Sequence, residues 1–209
     1  MILYTLGGSG FVMVAAVLAF FLLAGGEGDA APSGPAALRE AGCTFKTAAA
    51  LPNLRHKGQQ LRHVEALPAG FKYNTNPPSS GIHTSQTVIY GLYDQSVPSI
   101  SAVHNLEHGG IVIRYGPEVS AETVAQIGEF YTEDPNGLVV APMPGLGNDI
   151  ALTAWTFDQG RQDEEDYEGE GQLAKCKSFD QDAFEAFVDE YRGKGPERFE
   201  VSDLLPGQG

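Results

Sequence analysis

The sequence predicts an α+β domain with a small, mostly antiparallel sheet and two packed helices, preceded by one N-terminal transmembrane helix. Three observations lead to this prediction: an uncharged apolar segment at the N terminus, several short β-rich segments, and two segments with apolar residues at helical spacing. Strands interleaved with helices through short connections favour helices packed on one sheet. A chain of 209 residues is long enough to bury a real core.

The N-terminal segment is predicted to be an uncleaved membrane anchor. Residues 2–24 contain no charged residue, and a helix needs about 20 residues to cross the hydrocarbon core. A cleaved signal peptide usually has a basic start and a shorter apolar stretch, and this segment has neither. We therefore predict an anchor over residues 1–25 and a flexible linker, rich in Gly, Ala and Pro, over residues 26–42. An extracytoplasmic domain over 43–200 and a tail over 201–209 follow.

Within the domain, apolar runs and local turn signals predict the elements. The segment from Cys43 to Phe71 has weak signals and is predicted to be extended chain outside the core. A stiff, proline-containing loop follows over 73–83. Strands are predicted over residues 87–93, 97–103, 110–115, 137–142 and 150–157. Helices are predicted over residues 121–132, capped by Ser120, and after Asp180, where apolar residues recur at helical spacing up to Tyr191.

The charge distribution excludes some partners. The net charge of −14 argues against nucleic acid, because phosphate binding needs clustered Lys and Arg. An acidic segment over residues 158–172 carries seven acids against one Arg and is predicted to be a solvated surface insertion. Binding of a basic partner protein, or weak binding of calcium, is the alternative role for it.

The chain has two cysteines, Cys43 and Cys176, which bracket the domain. An even pair in a membrane-anchored protein suggests a disulfide bond formed in an oxidising compartment. The alternative is two separate buried thiols. A disulfide here places the domain on the extracytoplasmic side of the cell membrane.

The most concentrated chemistry lies in residues 104–108, with a pair of histidines and Glu107. If these residues form a helical turn, His104 and His108 share one face at the spacing that clamps a metal ion. His83, at the end of the stiff loop, supplies a third nitrogen for zinc or copper. His63 or Met143 is a candidate for the fourth ligand, and the thioether would favour copper. We assign Glu107 to orient a ligand.

A purely structural network of histidines and Glu107 is the alternative to a metal site. The order His-x-x-Glu-His over residues 104–108 also matches the inverted zincin pattern, in which Glu activates a zinc-bound water. In those enzymes the motif lies inside a long helix, whereas here two glycines follow it and end any helix. In addition, no downstream Glu is identified as a third ligand. Hydrolysis is therefore a secondary hypothesis, and no catalytic residue is assigned.

Two motifs identify a family resemblance. Residues 77–83 read Pro-Pro-x-Ser-Gly-x-His, and residues 104–109 read His-x-x-Glu-His-Gly. Together with Trp155 and the cysteines, they resemble a bacterial family known as domain of unknown function 3105, over about residues 43–197. The resemblance implies a single-anchor protein with an extracytoplasmic domain, and it implies no activity. The acidic insertion departs from the family's usual short connection.

These observations support two main hypotheses. In the first, the protein is a membrane-anchored extracytoplasmic domain that binds copper or zinc. In the second, it is a non-catalytic accessory subunit of a larger membrane protein complex, and its histidines are structural.

Overall fold

A computed structural model describes residues 33–51, 54–56, 59–61, 63–197 and 199–209. The helices in this part of the chain are α1 (Gly34–Glu40), α2 (Ser99–Glu107), α3 (Ala121–Glu133) and α4 (Gln181–Tyr191). The strands are β1 (Thr44–Ala49), β2 (Leu54–His56), β3 (Gln59–Leu61), β4 (Gly91–Leu92), β5 (Ile111–Tyr115), β6 (Leu138–Pro142), β7 (Ile150–Thr156) and β8 (Glu170–Cys176).

Six strands form one mixed sheet in the order β1-β8-β7-β5-β6-β4. The pairs β1–β8, β8–β7 and β7–β5 are antiparallel, whereas β5–β6 and β6–β4 are parallel. Strands β2 and β3 form a separate antiparallel pair. The α+β class is confirmed, and the correction is that the sheet is mixed because two of its five pairings are parallel.

Helices cover both faces of this sheet. On one face, residues of α1, α3 and α4 pack with Ile111, Ile113 and the inward residues of β6, β7 and β8. On the other face, α2 packs through Val103 and Leu106 against Val112 and Trp155. Successive residues of β5 therefore enter opposite cores, which explains why Ile111, Val112 and Ile113 are all apolar.

Helices α3 and α4 form where the apolar spacing and the caps predict them. The Ser120 hydroxyl accepts a hydrogen bond from the Thr123 N–H, and the Asp180 carboxylate accepts one from the Ala183 N–H. Each bond satisfies an N–H that the first helical turn leaves without a partner. Phe184 and Phe187 of α4 are fully buried.

Helix α2 replaces a predicted strand. The β-branched residues of 97–103 favour a strand, but Pro98 stands at the N-cap position of a helix that runs from Ser99 to Glu107. A proline before the first turn is compatible with a helix because that position needs no N–H donor. Tertiary packing of α2 on the sheet therefore overrides the local strand propensity.

Helix α1 lies inside the segment predicted as a flexible linker, which corrects that prediction for residues 34–40. The segment orders because Leu38 is fully buried and α1 packs against α4. A Cβ on Gly34 would lie 2.8 Å from the Ala186 carbonyl oxygen, so the two backbones approach closely.

Strands β1 and β8 are also additions to the predicted elements. Strand β8 contains the polar residue Gln172, whose side chain is buried between the hydroxyl groups of Thr47 and Thr156. The acidic segment predicted over residues 158–172 therefore ends earlier, because Glu170 already begins β8. Strand β1, predicted to lie outside the core, pairs with β8 along its whole length.

Cys43 and Cys176 form a disulfide bond, as predicted. Cys43 lies between α1 and β1, and Cys176 is the last residue of β8, so the bond joins the start of the domain to the sheet. A disulfide bond is typical of proteins in oxidising compartments.

The predicted membrane anchor lies outside the described residues. Among the residues that the structure describes, no helix is both long enough and apolar enough to cross a membrane.

Candidate metal centre

Three histidines and one glutamate converge at the C-terminal end of α2. Ligand atoms of His63, His83, His104 and Glu107 all lie within 4.8 Å of one another. Each pair of the three rings has its centroids between 4.8 and 5.0 Å apart. We call these four residues the primary cluster.

The loop before β4 fixes His83. The Thr75 hydroxyl accepts a hydrogen bond from the Ser79 N–H, and the Tyr73 hydroxyl donates one to the Ile82 carbonyl. Ser79 and His83 are fully buried, so the loop is packed into the domain. The stiffness predicted from the prolines therefore agrees with a loop whose backbone is held from several sides.

His63 reaches the cluster through a backbone contact. It forms an isolated parallel bridge with His83, in which the Val64 N–H donates to the His83 carbonyl at 2.9 Å. The His63 side chain is 36% exposed, whereas those of His83 and Glu107 are 0% and 6% exposed. His63 therefore forms the solvent side of an otherwise buried cluster.

Asn105 orients the helix that carries His104 and Glu107. Its side-chain amide donates to the Val88 carbonyl at 2.7 Å, and its side-chain oxygen accepts from the Val88 N–H at 2.8 Å. Asn105 is fully buried. No local sequence pattern indicates this role, because a single Asn between His104 and Glu107 is not a motif.

The hydrogen bonds of His83 impose a condition on the cluster. Its Nδ1 lies 2.8 Å from the Gly81 carbonyl oxygen, and its Nε2 lies 2.9 Å from the Glu107 Oε2. A carbonyl oxygen only accepts, so Nδ1 carries a proton and donates it. In the neutral ring, Nε2 then presents a lone pair. Two acceptors would face each other unless a proton or a metal ion lies between them.

The surroundings of Glu107 lower the pKa of its carboxyl. Burial raises the pKa of its carboxyl, but the hydrogen bond from His83 and the charges of the neighbouring histidines lower it further, so the net pKa lies below the ordinary value. The charges involved are those of His83, His104 and His63. A buried carboxylate with three imidazoles therefore favours a cation in the cluster.

The pKa of His104 leads to a prediction about pH. Burial, followed by the charges of His108 and His83, lowers this pKa from 6.5 to about 4, although Glu107 opposes the shift. His63 acts in the same direction as the other histidines. The unfolded chain therefore takes up the proton at a higher pH than the folded one does.

We expect the metal-free protein to be most stable above about pH 6.5, and to lose stability as the pH falls from there towards about 4. Urea denaturation at a series of pH values measures this loss. His104→Gln removes the titrating ring, so its stability should depend less steeply on pH in the same window. An unchanged slope in His104→Gln would contradict the assignment.

His108 lies apart from the primary cluster. Its Nε2 is 3.3 Å from the Glu197 Oε2, its ring stacks on Phe199, and its ring centroid is 4.5 Å from that of His104. Burial lowers the pKa of His108. The helical spacing correctly predicts that His104 and His108 are neighbours, but the structure groups His108 with Glu197 rather than with His83.

Met143, the other proposed fourth ligand, is placed elsewhere. It packs with Leu146, Ala151 and Leu173, and its backbone N–H donates to the Tyr115 carbonyl, at the end of β5 that is remote from the C-terminal end of α2. A thioether is therefore not part of the primary cluster, and Met143 does not favour copper over zinc there.

The inverted zincin pattern is only partly reproduced. Glu197 is a downstream carboxylate beside His104 and His108, and no local sequence pattern indicates it. However, α2 ends at Glu107, and the Glu107 carboxylate is engaged with His83. Glu107 is therefore not placed as a free base beside a zinc-bound water.

The segment over residues 193–197 holds the end of α2 in place. The Gly193 N–H donates to the Gly109 carbonyl at 2.8 Å, and the Glu197 N–H donates to the Glu107 carbonyl at 2.9 Å. A Cβ on Gly195 would lie 2.3 Å from the Glu107 carbonyl oxygen and 2.4 Å from the Gly109 nitrogen. These contacts are with backbone atoms, which have little freedom to move.

We expect Gly195→Ala to lower the free energy of unfolding by about 2–3 kcal/mol, because the added methyl group overpacks this contact. Urea denaturation measures the change. Gly128→Ala is the matched control. It lies within α3, where the new Cβ meets only Leu92 at 3.7 Å, and should be neutral or slightly stabilising. If Gly195→Ala and Gly128→Ala are equally stable, residues 193–197 do not hold the end of α2 in place.

The comparisons with known proteins identify a family. The sequence model of a family described as "Protein of unknown function (DUF3105)" matches residues 65–203. Neither a curated protein nor a solved structure matches the chain. The matched segment contains His83, His104, Glu107, His108 and Glu197, whereas His63 precedes it.

Proposed function

The chain belongs to the DUF3105 family, and we propose that its domain binds one divalent transition-metal ion, zinc or copper, in the primary cluster. The main support for this proposal is the position of the His83 ring between the Gly81 carbonyl and the Glu107 carboxylate. Its Nε2 lone pair and the carboxylate oxygen need a cation between them. A metal ion is such a cation, and it would also bind the imidazoles of His63 and His104.

The distances suit a metal of this class. Zinc binds imidazole nitrogen and carboxylate oxygen at about 2.0–2.2 Å, so neighbouring ligand atoms lie roughly 3–3.5 Å apart. His83 Nε2 and Glu107 Oε2 are already 2.9 Å apart. His63 and His104 each have Nε2 at 3.9 Å from the same oxygen, so small rotations of their side chains bring them to ligand distance.

The surroundings also match those of a metal ligand. A ligating His normally donates its other N–H to a carbonyl or a carboxylate, which fixes the tautomer and the ring. His83 makes this bond to Gly81. Imidazole suits both zinc and copper, and the carboxylate adds a negative charge that neutralises half of a divalent ion.

The alternative is a structural network, in which the cation is a proton on His83. It requires a buried imidazolium paired with Glu107, with two further imidazoles beside it. A proton on His83 pairs only this ring with Glu107, and it gives the imidazoles of His63 and His104 no cation to bind. A metal ion satisfies all three nitrogens at once, and we favour it for this reason.

The location of the domain is also a proposal. The disulfide between Cys43 and Cys176 supports an oxidising compartment outside the cytoplasm. The uncharged segment over residues 2–24 supports attachment to the cell membrane. Docking on a larger membrane protein complex is compatible with both. Intact mass of the native protein tests the anchor, since a mature N terminus after residue 25 would remove it.

The experiment for metal binding is a titration of the full-length chain. Protein stripped with EDTA is titrated with zinc, and separately with Cu²⁺, in competition with a chromophoric chelator. We expect saturable binding of at least one ion per chain, tight enough to remove metal from the chelator. The absence of saturable binding of both metals would contradict the proposal.

A further inference from the structure

A second group of ligand atoms adjoins the primary cluster. Ligand atoms of His104, His108 and Glu197 all lie within 4.8 Å of one another. His104 is common to both groups, whereas His108 and Glu197 belong only to this one. We call these three residues the outer triad.

The shared histidine has an unused nitrogen. Its Nε2 lies 3.9 Å from the Glu107 Oε2, in the primary cluster. Its Nδ1 is buried and has no hydrogen-bond partner in the described part of the chain, and the residue is 7% exposed. A buried polar atom without a partner costs about 1–3 kcal/mol, so a ligand for it is expected.

The two other residues are placed at ligand spacing. His108 Nε2 and Glu197 Oε2 are 3.3 Å apart, close to the edge of about 3.3–3.4 Å that a tetrahedral zinc with these ligands would have. Phe199 stacks on the His108 ring with centroids 4.2 Å apart. The backbone N–H of Glu197 is bonded to the Glu107 carbonyl. Both ligands are therefore held in position independently of a metal.

We propose that the outer triad binds a second divalent transition-metal ion, and that His104 bridges the two ions through its two ring nitrogens. The proposal rests on the proposed function of the primary cluster. A neutral imidazole carries one proton on a ring nitrogen. When both nitrogens bind metal, this proton leaves to solvent, so binding of the second ion releases one proton from His104.

The solvent exposure of the ligand side chains indicates which site binds its ion first. The side chains of His108 and Glu197 are 16% and 33% exposed, whereas those of His83 and Glu107 are 0% and 6% exposed. The outer triad also offers three protein ligands rather than four, which leaves one position for water or a small anion. The outer ion therefore binds second and more weakly, and it faces solvent.

The test is a titration of the full-length chain with zinc, followed to saturation by calorimetry and by metal analysis. Wild-type protein should bind two ions in two steps. In Glu197→Gln and in His108→Ala, the affinity for the second ion should fall tenfold or more. The affinity for the first ion should not change. Glu200→Gln removes an exposed carboxylate three residues away and should leave both steps unchanged.

A spectroscopic readout tests the bridge. Two Cu²⁺ ions joined by one imidazole ring couple magnetically, so wild-type protein loaded with two equivalents should lose EPR intensity relative to isolated ions. Glu197→Gln loaded with one equivalent should show the full intensity of a single Cu²⁺.

The outcomes separate the two proposals. The outer triad is not a metal site if wild-type protein binds a single ion. The same holds if neither Glu197→Gln nor His108→Ala lowers the affinity for the second ion. Either result leaves the proposal for the primary cluster in place. Two full-intensity, uncoupled Cu²⁺ signals would overturn the bridge. If wild-type protein binds neither metal, the function proposed for the primary cluster fails as well.

Discussion

His83→Ala should weaken zinc binding by roughly 100-fold or more. Loss of a group that merely orients a ligand already costs about 10–100-fold in metal affinity, and His83 is expected to be a direct ligand. It is the most buried member of the primary cluster, and its Nε2 is the nitrogen closest to Glu107. Competition with a chromophoric chelator measures the affinity of wild-type and variant protein under the same conditions.

Glu107→Gln makes this prediction independent of a folding defect. The new amide has nearly the same shape, and its N–H can donate to the Nε2 lone pair of His83, so no cation is needed between them. We expect metal affinity to fall strongly while the metal-free variant keeps most of its stability. Glu185→Gln on the exposed face of α4 is the matched control. Wild-type affinity in both His83→Ala and Glu107→Gln would rule out the primary cluster.

Removal of the disulfide has the largest expected effect on stability. The double variant Cys43→Ala/Cys176→Ala should lower the free energy of unfolding by about 4–5 kcal/mol, because the bond closes a long loop in the unfolded chain. The two cysteines are 133 residues apart in sequence. Both are buried, so Ala also loses some packing in the core.

Urea denaturation with and without a reductant gives the matched control for the disulfide. Reductant should destabilise wild-type protein by about the same amount as the double variant, and it should not affect the double variant further. If the double variant is within about 0.5 kcal/mol of wild type, the bond does not stabilise the fold as loop closure requires.

Residues with strong local signals were predicted well from the sequence. The caps at Ser120 and Asp180 and the apolar spacing that follows each of them specify α3 and α4. The even pair of cysteines specifies the disulfide. The two His-containing motifs indicate residues that the fold brings together, because a stiff loop and a helix end each fix a ring.

The remaining features depend on contacts between distant parts of the chain. Strand β8 is stabilised by the hydrogen bonds of buried Gln172 with residues of β1 and β7, which no local pattern reveals. Glu197 joins His108 only because the segment after α4 returns to the end of α2. For the same reason, the division of the histidines into two groups was not predictable from helical spacing.

Anomalous diffraction from crystals of the zinc-loaded protein, recorded at the zinc absorption edge, tests directly whether the primary cluster binds a metal ion. We expect a strong peak within the primary cluster, about 2.0–2.2 Å from the His83 Nε2 and from the Glu107 carboxylate. His63 and His104 should point their Nε2 atoms at the same peak. A primary cluster without a peak at saturating zinc, with His83 and Glu107 still hydrogen-bonded to each other, would contradict metal binding at this site.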